Sequence, residues 1–171
     1  MVPKDGEAKV YIDFDVRKSI VEVHSSVPPS YKLKPTLRMV EDFGAIIGKV
    51  DKDLMVPTCQ GGSIYIFFGA GATLDDIDRD EGDPVSSTLV MLDGQSDTGF
   101  SYHADFLAPG DYTLAFVCAG GVLQDDLVTV AEPADDPDAD DELSFTPATG
   151  ITVNVVDDGV KQVDILLPMP D

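Results

Sequence analysis

The residues of this chain that could do chemistry are two cysteines, two histidines and several blocks of carboxylates. Cys59 lies in VPTCQGG and Cys118 closes DYTLAFVC. Two thiols can remain free and buried, form one activated nucleophile, or join as a cystine. A nucleophile needs a neighbouring base and a depressed pKa, and neither His24 nor His103 stands in a cysteine-hydrolase context. If the strands carrying the two cysteines are neighbours, a bond closes a loop of about 60 residues and contributes on the order of 4 kcal/mol. We read a Cys59–Cys118 cystine and, with it, an oxidising compartment.

The carboxylates point to a hard cation. LDDIDRDEGDP places Asp76, Asp78 and Asp80 at alternate positions, like the start of an EF-hand loop. Glu81 then stands where glycine is required, and Ser87 where the bidentate Glu belongs. ADDPDADDELSF gathers Asp135, Asp136, Asp138, Asp140, Asp141 and Glu142. Calcium takes roughly six to eight oxygens from flexible segments of this kind and would relieve their mutual repulsion. A solvated acidic loop is the alternative. If calcium binds, Asp135, Asp136, Asp138 and Asp140 are its first expected ligands, with Asp76, Asp78 and Asp80 second; no other cofactor is expected.

His103, Asp105 and Ser101 suggest a Ser-His-Asp set. Alternate residues of one strand project in parallel, however, and a hydrolase serine sits on an elbow, so a polar sheet face is the better account. Two histidines and no HExxH speak against a zinc enzyme. The glycines of GAGAT (69–73) and CAGGV (118–122) lack a following Lys-Ser/Thr or helix and read as turns rather than phosphate cradles. No catalytic residue is assigned.

Strands must position these groups. KVYIDFDV turns Val10, Ile12, Phe14 and Val16 to one face and Tyr11, Asp13 and Asp15 to the other. SIVEV (19–23) is a second strand, SSVPPSYKLKP a proline-stiffened linker, and TLRMV (36–40) a third strand. GAIIGKVD follows, and IYIFF (64–68), apolar on both faces, reads as a central strand. TLVMLD runs into Asp-Gly, a hairpin signal. FSYHADF sends Phe100, Tyr102, Ala104 and Phe106 inward, and DYTLAFVC sends Tyr112, Leu114, Phe116 and Cys118 to one face. ITVNVV (151–156) and VKQVDILL (160–167) flank Asp-Asp-Gly as a final hairpin, and GVLQDDLVTVA supplies one short helix at most. Many short strands with Gly, Pro and Asp turns predict an all-β, antiparallel β-sandwich.

Charge divides the chain. Residues 1–52 carry nine Lys/Arg against eight Asp/Glu, whereas residues 53–171 carry only Arg79 and Lys161 against 24 acids. This places a boundary near residues 42–52 and disfavours nucleic acid and anionic membrane as partners. No apolar run approaches the roughly 20 residues of a membrane span, and no secretory leader opens the sequence. The chain is then either cytosolic or a fragment whose export signal lay upstream.

YIDFDVRKSI…YKLKPTLRMV resembles the closing strands of a bacterial family of unknown function numbered 4382, with its Asp-rich strand, Lys-Ser and Tyr-x-Leu-x-Pro. Members are typically exported, many as lipoproteins, so the resemblance implies a secreted or cell-envelope address, periplasmic or at the surface. GAIIGKVD…GFSYHADFLAPGDYTLAFVC is similar to the prealbumin-like or carboxypeptidase-regulatory-like sandwich, an Ig-like architecture. Together they imply residues 1–42 as remaining strands of an upstream β domain and 43–171 as the sandwich. The expected role is non-catalytic: a structural or binding module whose long loops meet a glycan, a protein partner or its own upstream domain. The alternatives are a calcium-stabilised spacer and an accessory domain of a surface hydrolase, with Asp78 and Asp80 as acid–base groups.

Overall fold

A computed structural model describes residues 10–15, 19–23, 30–40, 42–55, 59, 61–75, 82–94, 99–118 and 143–167. The first strands form a ribbon. β1 (Tyr11–Asp15), β2 (Ile20–Val23), β3 (Ser30–Leu33) and β4 (Thr36–Val40) pair as nested antiparallel ladders, β1 with β4 and β2 with β3. Ser19, fully buried, links the two ladders: its carbonyl accepts from the Lys34 amide at 2.7 Å, and its hydroxyl oxygen accepts from the Thr36 amide at 2.8 Å. The stretch expected to be a linker therefore contains β3; prolines elsewhere in it do not prevent Ser30–Leu33 from extending.

The remaining strands build an all-β sandwich. β5 (Gly44–Lys49) precedes a single helical turn, α1 (Lys52–Met55); then come β6 (Gly62–Phe68), β7 (Ser86–Leu89), β8 (Met91–Leu92), β9 (Phe100–Leu107), β10 (Gly110–Cys118), β11 (Phe145–Val155) and β12 (Val160–Gln162). One sheet runs β11-β10-β6-β7, the other β12-β5-β9-β8. All pairs are antiparallel except β12 with β5, which is parallel. Ile46 and Ala104 from one sheet meet Ile64, Ile66, Leu114 and Phe116 from the other, all buried. The alternation predicted for DYTLAFVC holds, with Tyr112, Leu114, Phe116 and Cys118 on the inner face.

β6 is a central strand, as its two apolar faces require. Ile64 and Ile66 enter the core, while Tyr65 and Phe67 turn outward beneath Ala72, Leu74, Leu143 and Phe145. Tyr112 closes the turn before β10: its hydroxyl donates to the Ala108 carbonyl at 2.7 Å, four residues upstream, and burial raises its pKa. This is the corner device of Ig-like sandwiches, in which a tyrosine ties a strand start to the preceding loop. Tyr112→Phe should cost about 1 kcal/mol, lowering Tm by roughly 4 °C in a thermal melt.

Three sequence expectations are corrected. ITVNVV and VKQVDILL do not form a hairpin, because the turn at Asp158, whose φ is 51°, carries the chain from one sheet to the other. TLVMLD is not one strand: at buried Val90 it also crosses, β7 pairing with β6 and β8 with β9. The Asp-Gly hairpin signal stands on the second half, where Leu92 opposes Phe100. Phe106 is not inward. An extra residue in β9 slips the register against β5, so Leu107 fills the core and Phe106, at φ 59°, turns out. The short helix expected over GVLQDDLVTVA lies outside the described residues.

The cystine is present. Cys59 and Cys118 are joined with Cα atoms 5.5 Å apart, and Cys59 is buried among core residues. No described helix is long and apolar enough to cross a membrane.

Candidate functional site

The ladder registers give the sandwich two ends. At one lie Gly62, Phe100, Cys118 and the cystine; at the other lie Gly44, Phe68, Leu107, Gly110 and Val155. The second end is ringed by aromatic side chains. Tyr11 of the ribbon meets Phe43 edge-on at 4.7 Å, and Phe43 meets Phe106 at 5.0 Å. The outward turn of Phe106 thus has a purpose in packing, because it supplies the floor on which the ribbon stands. Asp13 and Arg38, paired across the ribbon at 2.8 Å, lie on the same side of it as Tyr11.

Beside this cluster β6 runs out into solvent. Phe68 is 65% exposed, and its ring is held edge-on by Tyr112 at 5.6 Å and 86°. It borders a cleft of about 530 Å³ lined also by Phe67, Ala72, Thr73, Gly82, Asp83 and Val85. The Ala72 amide is fixed by donating to Thr113 Oγ1 at 3.0 Å, and that hydroxyl donates to the Gly69 carbonyl at 2.7 Å. Gly69 and Gly71 have φ of 105° and 64°, which is the turn that GAGAT implied. A flat ring face with a hydroxyl and a carboxylate nearby suits stacking and hydrogen bonding to a small hydroxyl-bearing ring or a peptide side chain.

The expected calcium ligands, Asp135, Asp136, Asp138 and Asp140, and the second set, Asp76, Asp78 and Asp80, all lie outside the described residues. Among the described residues no group of three or more His, Cys, Asp or Glu side chains is placed to hold a metal. His103 Nε2 and Asp105 Oδ1 are 3.0 Å apart, both exposed on the outer face of β9. They form the polar sheet face that strand geometry predicts.

Sequence reasoning missed the cleft. IYIFF was legible as central, but the exposure of Phe68 depends on where its partner strands stop. Its signal was the last aromatic of the run standing directly before GAGAT.

No family model matches the chain, and no curated protein matches it. Among solved structures, a leucine-rich repeat protein from Bacteroides thetaiotaomicron is similar over 72% of this chain and 12% of its own length, at 12% identity and a TM-score of 0.38. So slight a likeness carries no argument about fold or role, and the description of this chain stands on its own residues.

Proposed function

We propose that this chain is a non-catalytic β-sandwich module of an exported protein, secreted or held at the cell envelope, that binds a ligand or partner through the aromatic end of the sandwich. The Cys59–Cys118 cystine carries this proposal. Such bonds form and persist in oxidising compartments, and thiols are kept reduced in most cytosols. The resemblance of residues 11–40 to a family of exported proteins supports the same address, as lipoprotein or periplasmic module. The cleft beside Phe68 supports the binding role, since recognition concentrates on loops that a rigid sandwich positions.

A thiol count on protein from its native source, under denaturing and non-reducing conditions, is expected to find no free thiol. Two free thiols would overturn the exported address. For the binding role, titration with neutral oligosaccharides should shift the amide resonances around Phe68, Thr73 and Asp83. Phe68→Ser should weaken that binding at least ~10-fold without unfolding the chain. Shifts scattered over the surface, or none, would remove the glycan. Millimolar calcium should leave Tm unchanged; a rise of several degrees would make the chain a calcium-stabilised spacer instead.

A further inference from the structure

The ribbon lies across the end of the sandwich and reaches both sheets. Tyr11, Asp13, Arg38 and Val40 share its inner side. Tyr11 packs on Phe43 and Phe106, beside β5 and on β9, and Val40 is buried. Arg38 extends to the other sheet, where its Nη1 lies 3.5 Å from the Val85 carbonyl oxygen. Val85 is also a wall of the cleft beside Phe68. At Tyr112, where burial raises the pKa, the Arg38 charge is near enough to oppose that shift. Tyr112 is the ring that holds Phe68 edge-on. Arg38 therefore stands at the rim of the cleft, although it belongs to the ribbon.

The chemistry of that rim is mixed. A Cβ on Gly110 would sit 3.2 Å from Phe68 Cε2, so the Gly110 backbone supports a ring that is still 65% exposed. The negative face of an aromatic ring suits the C–H groups of a sugar ring. Asp83, which also lines the cleft, presents a carboxylate with about four lone-pair sites, enough to serve a ligand beside a protein partner. Asp13 holds the Arg38 guanidinium at 2.8 Å. That contact cancels the positive charge but leaves other N–H donors of the guanidinium to a ligand. Arg38, Asp13 and Asp83 together sum to a negative charge, and residues 53–171 carry 24 acids against two cations. An anion gains little at such a rim. A hydroxyl, which donates to a carboxylate and accepts from a guanidinium, suits it well.

We infer that Arg38 is a specificity-determining residue of this cleft: it donates to a hydroxyl of an uncharged pyranose stacked on Phe68, and the cleft selects neutral glycans over uronates. The inference rests on the cleft being the binding site, and adds that the site is incomplete without the ribbon. Selectivity comes from Asp13 and Asp83 as much as from Arg38, because discrimination needs a repulsive element against the wrong ligand.

Calorimetric titration of the full chain at physiological salt, with neutral oligosaccharides and with uronate oligomers of matching length, tests this. The wild-type chain should bind the neutral ligand at least ~10-fold more tightly than the uronate. Arg38→Gln should weaken neutral binding about 10-fold, while thermal melts and the amide resonances of Tyr11 and Phe43 show that the ribbon stays seated. Asp13→Asn leaves the guanidinium uncompensated and should narrow the preference at least ~3-fold by strengthening uronate binding. An Arg38 that only tied the ribbon down would not produce that shift. Wild-type affinity in Arg38→Gln, beside lost affinity in Phe68→Ser, overturns the inference and leaves the cleft as the binding site. So does a wild-type chain that binds uronate as tightly as the neutral ligand. Binding of neither ligand overturns the inference together with the cleft reading.

Discussion

Removing the Cys59–Cys118 bond, as the Cys59→Ala/Cys118→Ala double variant, is expected to lower Tm by about 15 °C. The bond joins residues 59 apart in sequence, and fixing a loop of that length removes chain entropy from the unfolded state worth about 4 kcal/mol. For a domain of this size each kcal/mol moves Tm by roughly 3–5 °C. Packing adds to the loss: Cys59 is buried among core residues at the end of the sandwich where Cys118 closes β10. Scanning calorimetry of wild-type and double variant would measure the difference, and a fall under about 4 °C would show that the bond constrains little.

Phe116→Ala should cost about 4 kcal/mol, comparable to losing the cystine. The ring is buried between the sheets and fills its site so closely that a Cβ on Gly62 would meet its Cε2 at 2.5 Å and Met55 Sδ at 2.6 Å. Gly62→Ala should therefore destabilise the wild-type chain by about 1–3 kcal/mol through overpacking. In the Phe116→Ala background the added methyl enters vacated space, so the two losses should fall short of additive by about 1 kcal/mol or more. Urea melts of the two single variants and the double variant would close this cycle. Strict additivity would mean that Met55 Sδ, rather than the ring, limits the space at Gly62.

Side-chain alternation made the faces of β9 and β10 legible, because the inner residues Tyr102, Ala104, Leu114 and Phe116 recur at a period of two. The cystine was legible from two thiols at the edges of core strands. Strand partnership was not. Alternation says which face is buried, but the same Asp-Asp-Gly turn serves a hairpin or a crossing between sheets, and the choice rests on where β5 leaves an edge for β12. Phe106 departs from the alternation for a related reason: one extra residue reverses every side chain beyond it. Alternation in KVYIDFDV separates an apolar from a more polar side, yet composition does not say which of them faces the sandwich. Tyr11 decides that, by packing on Phe43. The aspartates proposed for calcium, Asp76, Asp78 and Asp80 with Asp135, Asp136, Asp138 and Asp140, lie outside the described residues.

The parallel seating of β12 beside β5 has a consequence for biosynthesis. The Lys49 amide donates to Asp164 Oδ1 at 3.0 Å, Val50 bridges Ile165, and Asp51, its carboxyl pKa lowered by amide donors from Asp53 and Leu167, grips the chain 116 residues further on. The earliest strand of the sandwich therefore waits for nearly the last to leave the ribosome. At about 5–20 residues per second that delay is on the order of ten seconds, during which one flank of β5 lies open to any extended peptide. The closing of this sheet therefore belongs to the time after residues 160–167 are made, in whichever compartment the chain then folds.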